Sequence, residues 1–464
     1  MQLDDRVGDT IERVVRAHHR RRLRRIGWEH ALDAVGPAWA GGGEPPPRPG
    51  NAVEVLIDGA EALPRIAEEL RRAESHVHIA GWHVTPTFRL GPSPEDELRA
   101  ILAELAERIP VRVLVWAGAP LPLFRPSRSD VRRTREALER GTRIRCALDD
   151  RERPMHCHHE KLVVVDDRVA FVGGIDLTSY AGNRLDGRHH PARGEIGWHD
   201  AAARLEGPVV TDVAEHFALR WREVTGETLP APRAAEPAGE TEAQLLRTVP
   251  ERVYDACPRG DFRILEAYVA ALRGAERLVY LESQFLWSPE IVAILADKLH
   301  RPPSDAFRLV VLLPARPNDG ADDTRGQLGV LAAADDGAGR FLACTPHQRG
   351  TPRKSVYVHA KIGIVDDEWL TLGSANLNEH SLFNDTEVNV ACRDTALARE
   401  TRIRLWAEHL ERTPEELQGD PTEILDGLWR RLAGDEAHHL TWLPDVSRRA
   451  RALLGPVQSL LVDG

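Results

Sequence analysis

The strongest constraint on this chain is a pattern that it carries twice. His159-Glu160-Lys161-Leu162-Val163-Val164-Val165-Asp166 is followed, after six more residues, by Gly173-Gly174-Ile175-Asp176. His359-Ala360-Lys361-Ile362-Gly363-Ile364-Val365-Asp366 is followed at the same interval by Gly373-Ser374-Ala375-Asn376. One such run would mean little; two, 200 positions apart with matching downstream segments, read as a duplicated unit. Side chains alternate along a strand, so the His and Lys of each copy share a face. The apolar run after each Lys marks a strand buried on both sides. Asp166-Asp167 and Asp366-Asp367 then stand where a tight hairpin turn belongs.

A two-residue turn sets Val165 opposite Arg168, Lys161 opposite Val172 and His159 opposite Gly174; in the second copy His359 faces Ser374. On that register, the missing side chain at Gly174 lets a phosphate approach the backbone beside His159. Asp166 lies seven strand residues from His159, roughly 23 Å at about 3.3 Å each. Asp166 and Asp366 belong to the repeated motif and are grouped with its catalytic set. Geometry nevertheless assigns them to the turn or a domain contact rather than to proton transfer.

The 464 residues suffice for two or three domains. A basic helix is expected to about Ala40, with Arg13, Arg16, Arg20, Arg21, Arg22, Arg24 and Arg25. A Gly/Pro run to Gly50 breaks it, giving an N-terminal segment 1–50. Residues 51–228 form a first domain, 229–243 a polar linker and 244–464 a second domain. Each half opens alike. Helical stretches (Glu61 to Ala73, Ile264 to Ala275) lead into short strands (His76–Ala80, Leu278–Leu281), and further strands follow at Val111–Trp116 and Phe307–Leu313. Strands alternating with helices imply an α/β sheet covered on both faces.

The chemistry that suits two histidines and two lysines is phosphodiester cleavage. One neutral imidazole attacks phosphorus while an imidazolium opposite protonates the leaving oxygen. The lysines neutralise the non-bridging oxygens, so no metal and no cofactor is required. Each imidazole needs a carboxylate on its other nitrogen. Asp200 and Glu387, in matched later strands, are the candidates, with Glu195 a weaker alternative in the first half. His156-Cys157-His158-His159 suggests zinc, but no second segment supplies ligands at fixed spacing. His18-His19 and His189-His190 are expected at the surface. Trp82, Phe285, Trp287 and Trp369 are expected in the core.

Composition narrows the partners. A net charge of −11 disfavours nucleic acid as a partner. Five scattered cysteines fit a reducing compartment. With neither a secretory signal nor an apolar run of about 20 residues, a cytoplasmic protein is expected. The Arg-rich N-terminal helix either docks peripherally on anionic membrane or lies on the catalytic domain.

The duplicated motif resembles that of the phospholipase D superfamily. Tyr357-Val358-His359-Ala360-Lys361, Trp198-His199-Asp200, Glu206-Gly207-Pro208, Arg220-Trp221 and Glu282-Ser283-Gln284-Phe285 agree with it, over about residues 51–415. The resemblance implies two pseudo-twofold-related α/β sandwich domains, each a mixed sheet flanked by helices, with the site in the groove between them. It implies metal-independent cleavage of glycerophospholipid headgroups, by hydrolysis or transphosphatidylation, through a phosphohistidine. His159 would be the nucleophile and His359 the general acid/base, with Asn376 at a motif position that Asp176 fills in the first half. Alternatives are a cardiolipin synthase-like phosphatidyltransferase, a metal-independent nuclease and a non-catalytic phospholipid-binding protein.

Overall fold

A computed structural model describes residues 3–36, 44–120, 125–153, 156–183, 197–317, 321–348 and 354–443. Glu195, His189 and His190 lie outside these residues. The strands of the first half are β1 (Arg48–Ile57), β2 (Val77–Gly81), β3 (Val111–Trp116), β4 (Arg145–Asp149), β5 (Leu162–Val165), β6 (Val169–Gly173) and β7 (Ala201–Glu206). Those of the second are β8 (Thr241–Val249), the short β9 (Asp261–Phe262), β10 (Leu278–Glu282), β11 (Arg308–Leu312), β12 (Phe341–Pro346), β13 (Ile362–Val365), β14 (Trp369–Gly373), β15 (Glu387–Arg393) and β16 (Leu440–Trp442).

From the junction outward, the first half runs β1-β7-β6-β5-β2-β3-β4. The second runs β8-β15-β14-β13-β10-β11-β12 and adds β16 at its edge. The two orders correspond strand for strand. Within each, three strands are parallel (β2-β3-β4, β10-β11-β12) and the motif hairpins are antiparallel. The halves are also joined: Ala52–Ile57 of β1 pair with β7, while Arg48 and Asn51 pair with Ala243 and Thr241 of β8. One sheet path therefore runs through both halves, and β8 begins before the boundary expected at residue 244.

The helices are α1 (Leu3–Ile26), α2 (Asp58–Arg71), α3 (Leu98–Ala106), α4 (Arg128–Glu139), α5 (Val209–Thr225), α6 (Arg263–Gly274), α7 (Pro289–His300), α8 (Ala321–Asp335) and α9 (Thr395–Leu410). The unbroken apolar run of β5 now has a reason. Val163 and Val165 enter an outer core with Leu63, Ile66 and Leu102. Leu162 and Val164 enter a central core shared with Ile362 and Ile364 of β13, Phe217 and Trp221 of α5, and Leu405 and Trp406 of α9. A third core packs α6 and α7 on β10 and β11. Each large apolar side chain so buried contributes about 1.5–3 kcal/mol. The central core draws on both halves, which fixes their motif strands against each other.

The hairpin turns differ from expectation by one residue. Asp166 and Asp167 have φ of 59° and 54°, and Asp366 and Asp367 have 54° and 55°. Asp tolerates this left-handed region better than most residues. The Arg168 N–H closes the turn on the Val165 carbonyl at 3.0 Å. Ladder pairing nevertheless resumes at Val165–Val169, with Arg168 an extra residue, and Leu162, not Lys161, faces Val172. Val365 pairs with Trp369 in the same way.

The basic helix α1 ends at Ile26, before Gly27 with φ 84°, well short of Ala40. His19, expected at the surface, is buried and bonds Glu290 at 2.8 Å. Arg22 is buried too, donating to Glu251 at 2.6 Å and to the Phe383 carbonyl at 2.8 Å. No described helix is long and apolar enough to cross a membrane.

Candidate active site

The irregular segment carrying each histidine, just ahead of β5 or β13, is stitched to the opposite half before it reaches its own hairpin. The His159 N–H donates to the Thr386 carbonyl at 2.9 Å, and the His359 N–H to the His199 carbonyl at 2.7 Å. That stitching brings the carboxylates across. His159 Nδ1 lies 3.1 and 3.2 Å from the two Glu387 oxygens. His359 Nδ1 lies 2.7 Å from Asp200 Oδ2. Both acids are fully buried. A carboxylate at Nδ1 holds the ring proton there and leaves Nε2 with its lone pair.

His159, Lys161, Asp176, Gln284 and His359 line one cavity of about 200 Å³, together with Trp82, Arg125, Tyr180, Ala181 and Trp198. Lys161 Nζ pairs with Asp176 at 3.1 Å and donates to the His159 carbonyl at 2.6 Å. Lys361 Nζ donates to the His359 carbonyl and reaches Gln284 Oε1 at 3.5 Å. The same oxygen accepts from Asn376 Nδ2 at 3.3 Å. Trp198 packs on His359, with ring centres 4.4 Å apart.

Charge is distributed unequally. Burial, with Lys361 and Lys161 adding to it, lowers His359 to about 3 against the pull of Asp200. Asp200 stays below the ordinary carboxylate range despite its burial, because His359 and Lys361 stabilise its charge. Glu387 goes the other way: burial pushes it up to about 8 although Lys161, Ser374 and Ser381 favour its anion. Burial likewise raises Asp176 to about 6, opposed by Lys161.

Two sequence expectations are corrected. A Cβ on Gly174 would come within 2.1 Å of Asp200 Oδ1, so its missing side chain makes room for that carboxylate and not for a phosphate. Ser374, its counterpart, donates to Glu387, as does Ser381 at 2.6 Å. Asp166 and Asp366 hold their turns, as the strand geometry requires, and do not belong with the catalytic side chains among which the motif groups them. Asp166 accepts the N–H groups of Glu74, Ser75 and His76 at 2.7–2.9 Å. Asp366 accepts those of Glu276, Arg277 and Leu278 at 2.7–2.8 Å. Both therefore pin the turn to the start of β2 or β10. Trp82, Phe285, Trp287 and Trp369 are buried as expected, and Trp82 also lines the cavity.

Sequence reasoning did not single out Gln284, Tyr180, Trp198 or Ser381 as site residues. Gln284 and Trp198 sit inside segments that stood out beside the motifs. Ser381, seven residues after Ser374, has no signal of its own. His158 points away from the cavity into a buried network, 3.0 Å from Asp149 and 2.8 Å from the Thr386 hydroxyl.

A family model described as Phospholipase D matches residues 336–435, which hold the second motif. Phospholipase D A of Dictyostelium discoideum is 24% identical over 80% of this chain and 36% of its own length. Phospholipase D alpha 4 of Arabidopsis thaliana is 25% identical over 80% of this chain and 68% of its own. The chain thus spans about a third of the first relative and two thirds of the second. Among solved structures, phosphatidylserine synthase of Haemophilus influenzae superposes with a TM-score of 0.51 at 13% identity, covering 82% of this chain and 93% of that one. That likeness concerns the fold alone.

Proposed function

This chain belongs to the phospholipase D superfamily, and on that premise we propose that it cleaves glycerophospholipids at the headgroup side through a covalent phosphohistidine. One observation carries the reading: His159 and His359, each with its Nδ1 held by a carboxylate, line the same cavity as Lys161. His159 is the nucleophile. Its Nε2 attacks phosphorus in line, and the bond from phosphorus to the headgroup oxygen breaks. His359, as imidazolium, gives that oxygen its proton. It then takes a proton from water or an alcohol, which attacks the phosphohistidine and frees His159.

The unequal carboxylates support this division of labour. Asp200 is the better anion and favours a charged His359 in the acid role. Glu387, raised to about 8 by its burial, is the weaker anion of the two. A phosphodiester anion between Lys161 and Lys361 also offsets the two ammonium charges that help hold His359 down, so substrate binding promotes proton uptake there. The lysines neutralise the non-bridging oxygens, and the step as drawn uses no metal.

The acceptor decides between hydrolysis and phosphatidyl transfer, because one phosphoenzyme serves both. Phosphatidylcholine and phosphatidylglycerol vesicles, each with and without added ethanol or glycerol, separate the two. We expect headgroup release with a chelator present and an acid-labile, base-stable phosphoprotein lost in His159→Ala. Cleavage of plasmid DNA at low salt with inert vesicles would instead establish a nuclease. Lipid binding without turnover in the wild-type chain would establish a binding protein.

For α1, the buried His19 and Arg22 contacts favour a brace lying on the second half. Vesicle binding that is unchanged when residues 1–40 are deleted would support the brace. Salt-sensitive binding that is lost with them would support docking on anionic lipid.

A further inference from the structure

We propose that His156, His380 and Asp385 form a divalent-cation site of the zinc class, which clamps the segment leading into the first motif to the segment that delivers Glu387. The three residues lie outside the cavity lining, and the catalytic scheme does not use them.

The spacing of the donor atoms is the first argument. His156 Nδ1 lies 3.2 Å from His380 Nδ1 and 3.4 Å from Asp385 Oδ1. One donor atom from each residue falls within 4.8 Å of the other two. A tetrahedral ion with bonds of about 2.0–2.1 Å sets its ligand atoms roughly 3.3 Å apart. The contrast with another buried His–carboxylate group is clear. His199 and His409 approach Glu282 at 2.7 and 2.9 Å, the lengths of ordinary hydrogen bonds.

Protons alone serve the cluster poorly. His156 Nδ1 offers either one N–H or one lone pair in the ring plane. If it donates to Asp385, it has nothing further for His380. If it accepts from His380, its lone pair faces a carboxylate oxygen. Asp385 Oδ2, the second oxygen of the carboxylate that would bind through Oδ1, is buried with no hydrogen-bond partner among the described residues. An unpaired buried oxygen of this kind is costly to desolvate. A cation gives all three side chains a common partner.

The donor set is right for the ion. Two imidazoles and one carboxylate suit zinc and its neighbours better than magnesium or calcium, which prefer oxygen alone. The His156 side chain is 14% exposed, against 0% for Asp385, which gives the ion a way in from solvent and water a fourth position.

The site sits on the seam that aligns the catalytic pair. Asp385 Oδ1 accepts the Cys157 N–H at 2.9 Å. The Thr386 N–H donates to the Cys157 carbonyl at 3.2 Å, and the Thr386 carbonyl accepts from His159 at 2.9 Å. An ion here would hold that seam shut without touching phosphorus.

The test uses the full chain, stripped with chelator and titrated with Co²⁺ and then Zn²⁺. We expect one Co²⁺ per chain with the visible absorption of a tetrahedral site, displaced by Zn²⁺. His156→Ala and His380→Ala should each weaken binding by about 100-fold or more. His439→Ala, in the separate group Glu411, His438 and His439, should leave it unchanged. Chelator should lower the melting temperature of the wild-type chain and not that of His156→Ala. Far-UV circular dichroism reports whether the buried His380 variant folds; the partly exposed His156 position supplies the result if it does not. Less than stoichiometric binding by the wild-type chain overturns the proposal. So does tight binding kept by the folded variants, or binding lost in His439→Ala but kept in His156→Ala.

Discussion

The two halves of the site have the same parts in the same places and hold them at different charge. His359 faces Asp200, an acid kept below its ordinary range; His159 faces Glu387, an acid pushed up to about 8. Lys161 pairs with the carboxylate of Asp176, whereas the matching Lys361 meets the amide of Gln284, beside Asn376. Duplication accounts for the shared positions. The neighbours account for the different electrostatics: burial prevails at Glu387, where Asp385 adds to it, while His359 and Lys361 outweigh it at Asp200. Equal geometry can therefore carry unequal roles without moving either histidine.

The largest test of that contrast removes the histidines. His159→Ala and His359→Ala should each lower kcat/KM on a natural phospholipid by about 10⁴-fold or more. On a diester with an activated aryl leaving group, which departs without a proton, His359→Ala should recover the first step, seen as a burst of aryl alcohol release, and His159→Ala should show none. Equal recovery would break the assignment of roles. Next come the lysines: Lys161→Met and Lys361→Met should each cost about 10²–10³-fold in kcat, measured at saturating lipid. The acids then sharpen the comparison. Asp200→Asn should lose about 100-fold in kcat and Glu387→Gln only about tenfold, since Gln resembles the neutral form that burial already favours. A larger loss for Glu387→Gln would reverse the charge assignment.

The smallest effect is on stability against pH. Glu387 has its folded pKa raised to about 8, so the stability linked to it is full at low pH and lost as pH rises toward 8. His359, lowered to about 3, contributes fully above the ordinary histidine range and loses that contribution as pH falls toward 3. Glu387→Gln should thus flatten the decline in melting temperature from about pH 4.5 to pH 8, and His359→Gln the decline from about pH 6.5 toward pH 4. Thermal melts at constant ionic strength from about pH 4 to pH 9 would read both.

Much of this arrangement could be read from the chain. The duplication, the strands at Val111–Trp116 and Leu278, and the helices near 61–73 and 264–275 follow from apolar periodicity, which tertiary packing reinforces. The register slipped by one because the residue following each Asp pair is an extra one, and turn composition does not count bulges. Gly174 was read as open backbone because sequence cannot say which neighbour fills the space; here Asp200 does. Asp200 and Glu387 stood out as carboxylates on matched strands. Which histidine each one serves depends on the packing of one half against the other, and no local pattern encodes that. Gln284, just after β10, and Trp198, just before β7, reach the cavity from separate halves for the same reason.

The exchange of acids across the seam makes the two repeats hostages to each other. Neither repeat possesses a complete histidine–carboxylate pair, so each copy's acid acts on the other copy's histidine. Selection on turnover consequently polices the fit between the halves, and a substitution that merely loosens their juncture will silence the protein before it unfolds it.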